Sequence, residues 1–233
     1  MASYGQFCPV AKAMEVLDER WTLLVIRELL AGSSHFNELR RGVPKMSPAL
    51  LSKRLRSLQR AGLVDRRSEG GRVSYELTEA GKALQDVVVA LGAWGTRWIG
   101  DLGEDDYAPH LLFWDMQRTV PVPVWPRERT VVAFEFDDVA AKAARWWLVV
   151  NGDQVEACDF DPGYDVAARV QTHLTSLVRI WRGELTWPDA LATSSVTIDA
   201  PSRVRAQIPG WIGQGQLAGF ALAHSSDGEM SQS

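Results

Sequence analysis

Cysteine is scarce in this chain of 233 residues, which contains only Cys8 and Cys158. Two thiols cannot supply a disulfide framework or the four ligands of a structural zinc site. No stretch approaches the roughly 18 consecutive apolar residues of a membrane-spanning helix, and the N-terminus has no basic run followed by an apolar segment. We therefore expect a cytoplasmic protein without membrane insertion.

Recognisable catalytic and metal-binding motifs are also lacking. The histidines in the second half are scattered and have no neighbouring nucleophile motif or metal-ligand spacing; they are His110, His173 and His224. Asp159, Asp161 and Asp165 cluster around a Pro-Gly turn without the glycine and glutamate pattern of a calcium loop. The sequence therefore predicts no enzyme activity, no cofactor and no metal.

The charge is divided unevenly along the chain. Residues 1–100 carry fifteen Lys/Arg and ten Asp/Glu, whereas residues 101–233 carry ten and nineteen, giving net charges of +5 and −9. Such asymmetry indicates two units with different partners, the first a candidate for binding a polyanion. We place a first domain over 1–100, an acidic linker over 101–106 and a second domain over 107–224. The polar tail over 225–233 is expected to be disordered.

The first domain has the element order of a winged helix-turn-helix. Ser47-Pro48 is a helix cap followed by proline at the first helical position, and Gly70-Gly71 is typical of a hairpin tip. Apolar spacing and turn residues predict, in order, two short helices within 9–31, helices over 35–41 and 47–61, strands over 63–67 and 72–77, and one long helix capped by Thr78.

Positive charge is concentrated between residues 33 and 75, which hold ten Lys/Arg and three Asp/Glu. Helical periodicity turns Leu51, Leu55 and Leu58 inward and the opposite side of that helix outward. In a helix-turn-helix, the start of the second helix enters the major groove and the wing reaches phosphates. A solvated basic face without function is the alternative. The predicted DNA-binding set is Ser47, Pro48, Ala49, Ser52 and Lys53 for the groove, Arg56 for either the groove or phosphates, and Arg40, Arg66, Arg67 and Arg72 for phosphates. A protein that binds DNA in this way is expected to be nucleoid-associated.

Several linked motifs occur in order over about residues 8–98. They are Cys8-Pro9-Val10, Trp21 to Leu30, Phe36 to Leu39, Ser47 to Leu55, Gly62 to Val64 and Tyr75 to Gly81. Together these motifs resemble the HxlR-type winged helix-turn-helix regulators. The resemblance implies a dimeric bacterial transcription regulator that binds double-stranded DNA and has no enzymatic activity. It also places Cys8 where several relatives keep a redox-sensing thiol; the alternative is a small buried residue beside the first helix.

The helix after the wing carries an apolar stripe that extends beyond a compact winged core. Large exposed aromatic side chains usually find a partner surface, so we predict that this stripe forms a homodimer. Packing against the second domain of the same chain is the alternative. The predicted dimerisation residues are Leu84, Val88, Leu91, Trp94 and Trp98.

The second half is α+β by the order of its predicted elements and contains seven of the ten tryptophans. Its motifs are Trp146 to Val149, Asp161 to Val166, Ile180 to Leu185, Asp189 to Leu191 and Val196 to Pro201. These motifs resemble the sterol-carrier-protein-type fold, and the resemblance implies an apolar tunnel for lipids or other hydrophobic molecules. Apolar helical placement suggests the ligand-binding residues Leu177, Ile180, Trp181 and Trp211, although core packing is the better expectation for any single tryptophan.

The sequence therefore predicts an α+β chain with a winged helix-turn-helix domain and a sterol-carrier-like domain. The expected function is a transcription regulator that binds a two-fold symmetric operator as a dimer and responds to a hydrophobic small molecule or lipid. Two alternatives are a constitutive DNA binder whose second domain only braces the dimer, and a lipid-binding or carrier module with subsidiary DNA binding. An enzyme that transforms its ligand is a third, unsupported by any motif.

Overall fold

The computed structural model of the chain describes residues 3–99 and 102–219. It divides into two compact units, Met1–Leu91 and Gly92–Ser233. The division falls within the helix Gln85–Trp98, about ten residues before the acidic segment that the composition marks as a linker. The helix is continuous across the division. Among the described helices, none is both long and apolar enough to cross a membrane.

The first unit has the predicted order of helices and hairpin. Its elements are α1 (Pro9–Leu17), α2 (Thr22–Leu30), α3 (Phe36–Gly42), α4 (Pro48–Arg60), β1 (Val64–Glu69), β2 (Arg72–Leu77) and α5 (Glu79–Lys82), and α6 (Gln85–Trp98) crosses the division. β1 and β2 form an antiparallel ribbon. Both glycines at its tip have positive φ, 56° at Gly70 and 78° at Gly71, which confirms the hairpin turn.

One expectation for this unit is wrong, because the helix that Thr78 caps is short. The Thr78 side chain accepts a hydrogen bond from the Gly81 amide at 3.2 Å, as a cap should. It also donates to the Gly62 carbonyl at 2.7 Å, while the Thr78 amide donates to the Leu63 carbonyl at 3.1 Å. These bonds tie α5 to the start of the wing. The chain therefore forms one separate turn of helix before α6 begins.

The second unit contains a five-stranded mixed sheet. Its remaining elements are α7 (Pro109–Thr119), β3 (Thr130–Phe136), β4 (Arg145–Asn151), β5 (Gln154–Cys158), β6 (Ala168–Thr172), α8 (Leu174–Trp181), α9 (Trp187–Ala192), β7 (Val196–Asp199) and α10 (Ser202–Ile212). The strand order is β5-β4-β3-β6-β7, with β3 and β6 parallel and the other pairs antiparallel. This confirms a mixed helix and sheet architecture, whereas the sterol-carrier-type fold stays a prediction.

Two segments of the second unit depart from regular structure. The proline-rich segment 121–126 contains a 3-10 turn over Val122–Val124. The last helix, which ends at Ile212, carries Pro209 inside it. The tail over 225–233 and the end of the predicted second domain lie outside the described residues.

Candidate nucleic-acid interface

Helices α3 and α4 and the turn between them form a helix-turn-helix with a buried inner side. The Ser47 hydroxyl accepts a hydrogen bond from the Leu50 amide at 3.3 Å, so it caps α4 as predicted. Val43 and Met46 in the turn are buried. This packing fixes the point at which α4 begins, and therefore which of its residues can reach a groove.

The outer face of α4 carries the predicted basic side chains. Leu51, Leu55 and Leu58 are buried, whereas Lys53 and Arg56 are exposed. Ala49 is also exposed and has little bulk, and Ser52 is half-buried. The first turn of the helix is thus slim, and positive charge follows on the same side at Lys53 and Arg56, the shape and sign that suit entry into a major groove.

Arg54 is a basic residue of α4 that does not belong to this face. Its side chain is buried, its Nε donates to the Arg20 carbonyl at 3.1 Å, and its guanidinium pairs with the Glu19 carboxylate. Burial lowers the pKa of the Arg54 guanidinium. Of the ten positive charges in segment 33–75, this one therefore points away from the outer face.

The wing places its arginines on two faces. Side chains alternate along a strand, so Arg66 lies on one face of the ribbon and Arg67 on the other. Arg72 lies opposite Glu69 in the antiparallel register, and its side chain is on the same face of the ribbon as that of Arg67. The Nε of Arg67 lies 3.0 Å from a Glu76 carboxylate oxygen, which partly neutralises its charge. Arg66 and Arg72 are exposed and are the better candidates for phosphate contacts.

A carboxylate side chain lies near each end of helix α3. The Ser34 and His35 amides both donate to Glu38, at 2.8 and 2.9 Å. Burial acts to raise the pKa of Glu38, but these backbone bonds outweigh it and lower the pKa overall. At the other end of α3, Glu28 is buried so close to Gly42 that a Cβ there would lie 1.9 Å from the carboxylate. Arg40, predicted to reach phosphates, is exposed on the last turn of α3.

Only part of the predicted dimerisation stripe is exposed to solvent. Leu84 and Val88 are half-buried and pack against the core of the first unit. Leu91, Trp94 and Trp98 are 48%, 55% and 64% exposed. A single chain therefore leaves the later turns of the stripe in contact with water.

The two cysteines have different surroundings. Cys8 is half-buried at the start of α1, whereas Cys158 is buried on β5. Burial raises the pKa of the Cys158 thiol, and the nearby carboxylates of Glu156 and Asp159 raise it further. Of the two, Cys8 is the thiol that solvent can reach.

The four residues predicted to bind a ligand lie in the core of the second unit. Leu177, Ile180, Trp181 and Trp211 are all buried there. The Trp181 indole donates to Asp115 at 2.8 Å, and the ring of Trp211 stacks on another tryptophan with centroids 5.1 Å apart. The indole rings of Trp181 and Trp211 therefore have defined packing and hydrogen-bonding partners within the protein.

Comparison with known proteins gives the first unit a family. The family model described as HxlR-like helix-turn-helix matches residues 16–102. The uncharacterized HTH-type transcriptional regulator YvaP of Bacillus subtilis is 37% identical over 99 residues, which are 41% of this chain and 92% of YvaP. The chain belongs to the HxlR-like helix-turn-helix family of transcriptional regulators. A second relative, the uncharacterized HTH-type regulator sll1512 of Synechocystis sp., is 34% identical over 98 residues, 41% of this chain and 73% of the relative.

A solved structure is similar to the same part of the chain. The reduced form of the transcriptional regulator YodB from B. subtilis has 33% sequence identity and a TM-score of 0.37, covering 41% of this chain and all of YodB. At this score the structural likeness carries no argument beyond the family match.

Within this HxlR-like chain, the family match encloses the helix-turn-helix, the wing and α6, and so every predicted DNA-binding residue. The inward position of Arg54 was not predicted from the sequence. The signal was present, because Arg54 lies three residues after Leu51 and four before Leu58, on the buried side of the helix. The total charge of the segment does not indicate the inward position of Arg54, whereas the helical periodicity does.

Proposed function

We propose that this HxlR-like regulator binds a two-fold symmetric operator as a dimer, with the start of α4 in the major groove and the wing against phosphates. The observation that supports this most is the exposed pair Lys53 and Arg56 on a capped helix whose opposite side is buried. Cations on a slim helix start can donate to base edges, and those on the ribbon can neutralise phosphates.

Selection of bound duplexes from a random-sequence pool tests this function. The full-length chain is expected to enrich duplexes with two inverted half-sites whose centres lie about 10 base pairs, or a multiple, apart. Its affinity should fall with salt by a slope of about 0.9 for each phosphate neutralised. A chain that enriches no duplex, or whose binding does not depend on salt, would contradict the proposal.

We propose further that the exposed end of the α6 stripe is the dimer contact. Replacing Trp98 with Glu should place two charges in an apolar interface and raise the monomer fraction at least about tenfold, since an unpaired buried charge costs several kcal/mol. Sedimentation equilibrium of the full chain measures this. Val124→Glu, at another exposed apolar residue, is the control and should leave the oligomeric state unchanged. A dimer that survives the Trp98 substitution at micromolar concentration contradicts the assignment.

Two modes of modulation are part of the proposal. The resemblance of the second half supports a hydrophobic effector, and the accessibility of Cys8 supports an oxidant response. An effector must bind the DNA-competent and DNA-incompetent states with different affinities, and oxidation of Cys8 must stabilise one of these states over the other. The duplex selection, repeated with added fatty acids and separately with diamide, tests both. Affinity unaffected by fatty acids favours a bracing role for the second unit, and an oxidant response that persists in Cys8→Ser removes Cys8 as the sensor.

A further inference from the structure

Arg54 joins the DNA-binding helix to a part of the chain more than thirty residues earlier. It lies on α4 between the exposed Lys53 and the buried Leu55, yet it is only 7% exposed. Its two partners, the Arg20 carbonyl and the Glu19 carboxylate, belong to the connection between α1 and α2. The contact therefore spans two elements that the leucine core alone would have to align.

The connection that Arg54 binds has a specified backbone conformation. Trp21, directly after Arg20, has φ of 80°, a left-handed value that is rare for a residue other than glycine. Its side chain is half-buried and packs against the core of the unit. The Arg20 carbonyl is thus presented by a segment whose geometry is set by packing, so it is a well-defined acceptor.

Apolar contacts and this charged contact restrain α4 in different ways. Burial of leucines is non-directional and tolerates small rotations of a helix about its axis. The hydrogen bond from Arg54 Nε to the Arg20 carbonyl oxygen, in contrast, has distance and angle requirements. A rotation of α4 that the leucines would accept therefore breaks the Arg54 contacts.

The ion pair with Glu19 is by itself a weak source of stability. The Arg54 side chain is buried and loses hydration, whereas the Glu19 side chain is 44% exposed, so water screens the attraction between the two charges. The value of such a contact then lies in the geometry it specifies. In α4 that geometry is the direction in which the neighbouring Lys53 and Arg56 project.

We propose that Arg54 is a positioning residue for DNA recognition: by tying α4 to Glu19 and Arg20, it sets the rotation of the helix and hence the aim of Lys53 and Arg56, without touching DNA itself. This inference rests on the proposed function. It predicts that loss of Arg54 damages sequence discrimination while leaving phosphate contacts in place.

The test compares Arg54→Met with Arg66→Met in the full-length chain. The probes are the duplex that the wild-type chain selects and a scrambled duplex of the same length. Arg54→Met should lose at least about tenfold in affinity for the selected duplex, the size of one base contact, but less than about twofold for the scrambled one. Its salt slope should match the wild type. Arg66 is an exposed wing residue proposed to contact phosphates, so Arg66→Met should lower the slope by about 0.9 for each phosphate that Arg66 neutralises.

Several results overturn the inference. One is a salt slope for Arg54→Met that falls as it does for Arg66→Met, because Arg54 would then touch phosphates. Another is unchanged affinity of Arg54→Met for the selected duplex. If Arg54→Met does not fold, Glu19→Gln decides, since it breaks the ion pair but keeps the bond to Arg20; it must show the same split between the two duplexes. Failure of the wild-type chain to select any duplex contradicts the proposed function as well, so the two failures are distinguishable.

Discussion

Replacing Lys53 and Arg56 together with alanine is expected to lower operator affinity by at least about 30-fold. Each side chain in contact with a base edge contributes about 1–3 kcal/mol of discrimination, and a two-fold dimer presents every contact twice. Both residues are exposed, and α4 is held by its buried leucines, so the substitutions should leave the fold intact. Fluorescence anisotropy with the selected duplex measures the loss, and circular dichroism checks the helix content.

The matched control for this result is Arg60→Ala on the same helix. Arg60 is exposed, but it lies on the last turn, and its guanidinium donates to the Arg56 carbonyl at 3.4 Å and to the Ser57 hydroxyl at 3.1 Å. Its removal changes the charge as much as either single substitution does, and it should cost less than about threefold in affinity, because the recognition contacts come from the start of the helix. Wild-type affinity in both single variants, Lys53→Ala and Arg56→Ala, would show that α4 reads DNA through other residues.

The elements of the first unit could be predicted because local signals and tertiary packing agree there. Ser47-Pro48 specifies a helix start and Gly70-Gly71 a tight hairpin, and both stand where local preference places them. The break between α5 and α6 could not be predicted in this way. It depends on bonds from Thr78 to Gly62 and Leu63, residues that precede the wing and that no local pattern connects to the helix.

The candidate site was predicted less completely than the fold. Helical periodicity predicts the outer face of α4, but the summed charge of residues 33–75 does not show which cations face outward. The structure turns Arg54 inward and pairs Arg67 with Glu76, so fewer positive charges are available than the sum suggests. In the second unit, apolar periodicity identified Leu177 and Ile180 as inward-facing, but periodicity cannot distinguish a packed core from the lining of a cavity.

Gly81→Ala is expected to destabilise the first unit by about 2–3 kcal/mol, the upper part of the range of about 1–3 kcal/mol for forcing extra atoms into a packed site. An added Cβ would lie 2.2 Å from the Leu63 carbonyl oxygen and 2.9 Å from a methyl carbon of Leu77. The backbone conformation of Gly81 is helical, so the clash alone opposes the substitution. Leu63 cannot retreat without cost, because its carbonyl accepts the Thr78 amide and the wing begins at the next residue.

Displacement of Leu63 would also disturb the proposed DNA-binding surface, because Leu63 lies between the end of α4 and the first strand of the wing. In scanning calorimetry, the transition of the first unit should fall by about 10–25 °C, given about 4–8 °C for each kcal/mol in a domain of this size. Gly210→Ala is the control, because a Cβ on α10 meets nothing within 4 Å; it should be neutral or stabilise by about 0.5–1 kcal/mol. A Gly81→Ala transition within about 3 °C of the wild type would mean that the approach of α5 to Leu63 is looser than the structure shows. The tie between α5 and the wing would then contribute little to holding the DNA-binding surface.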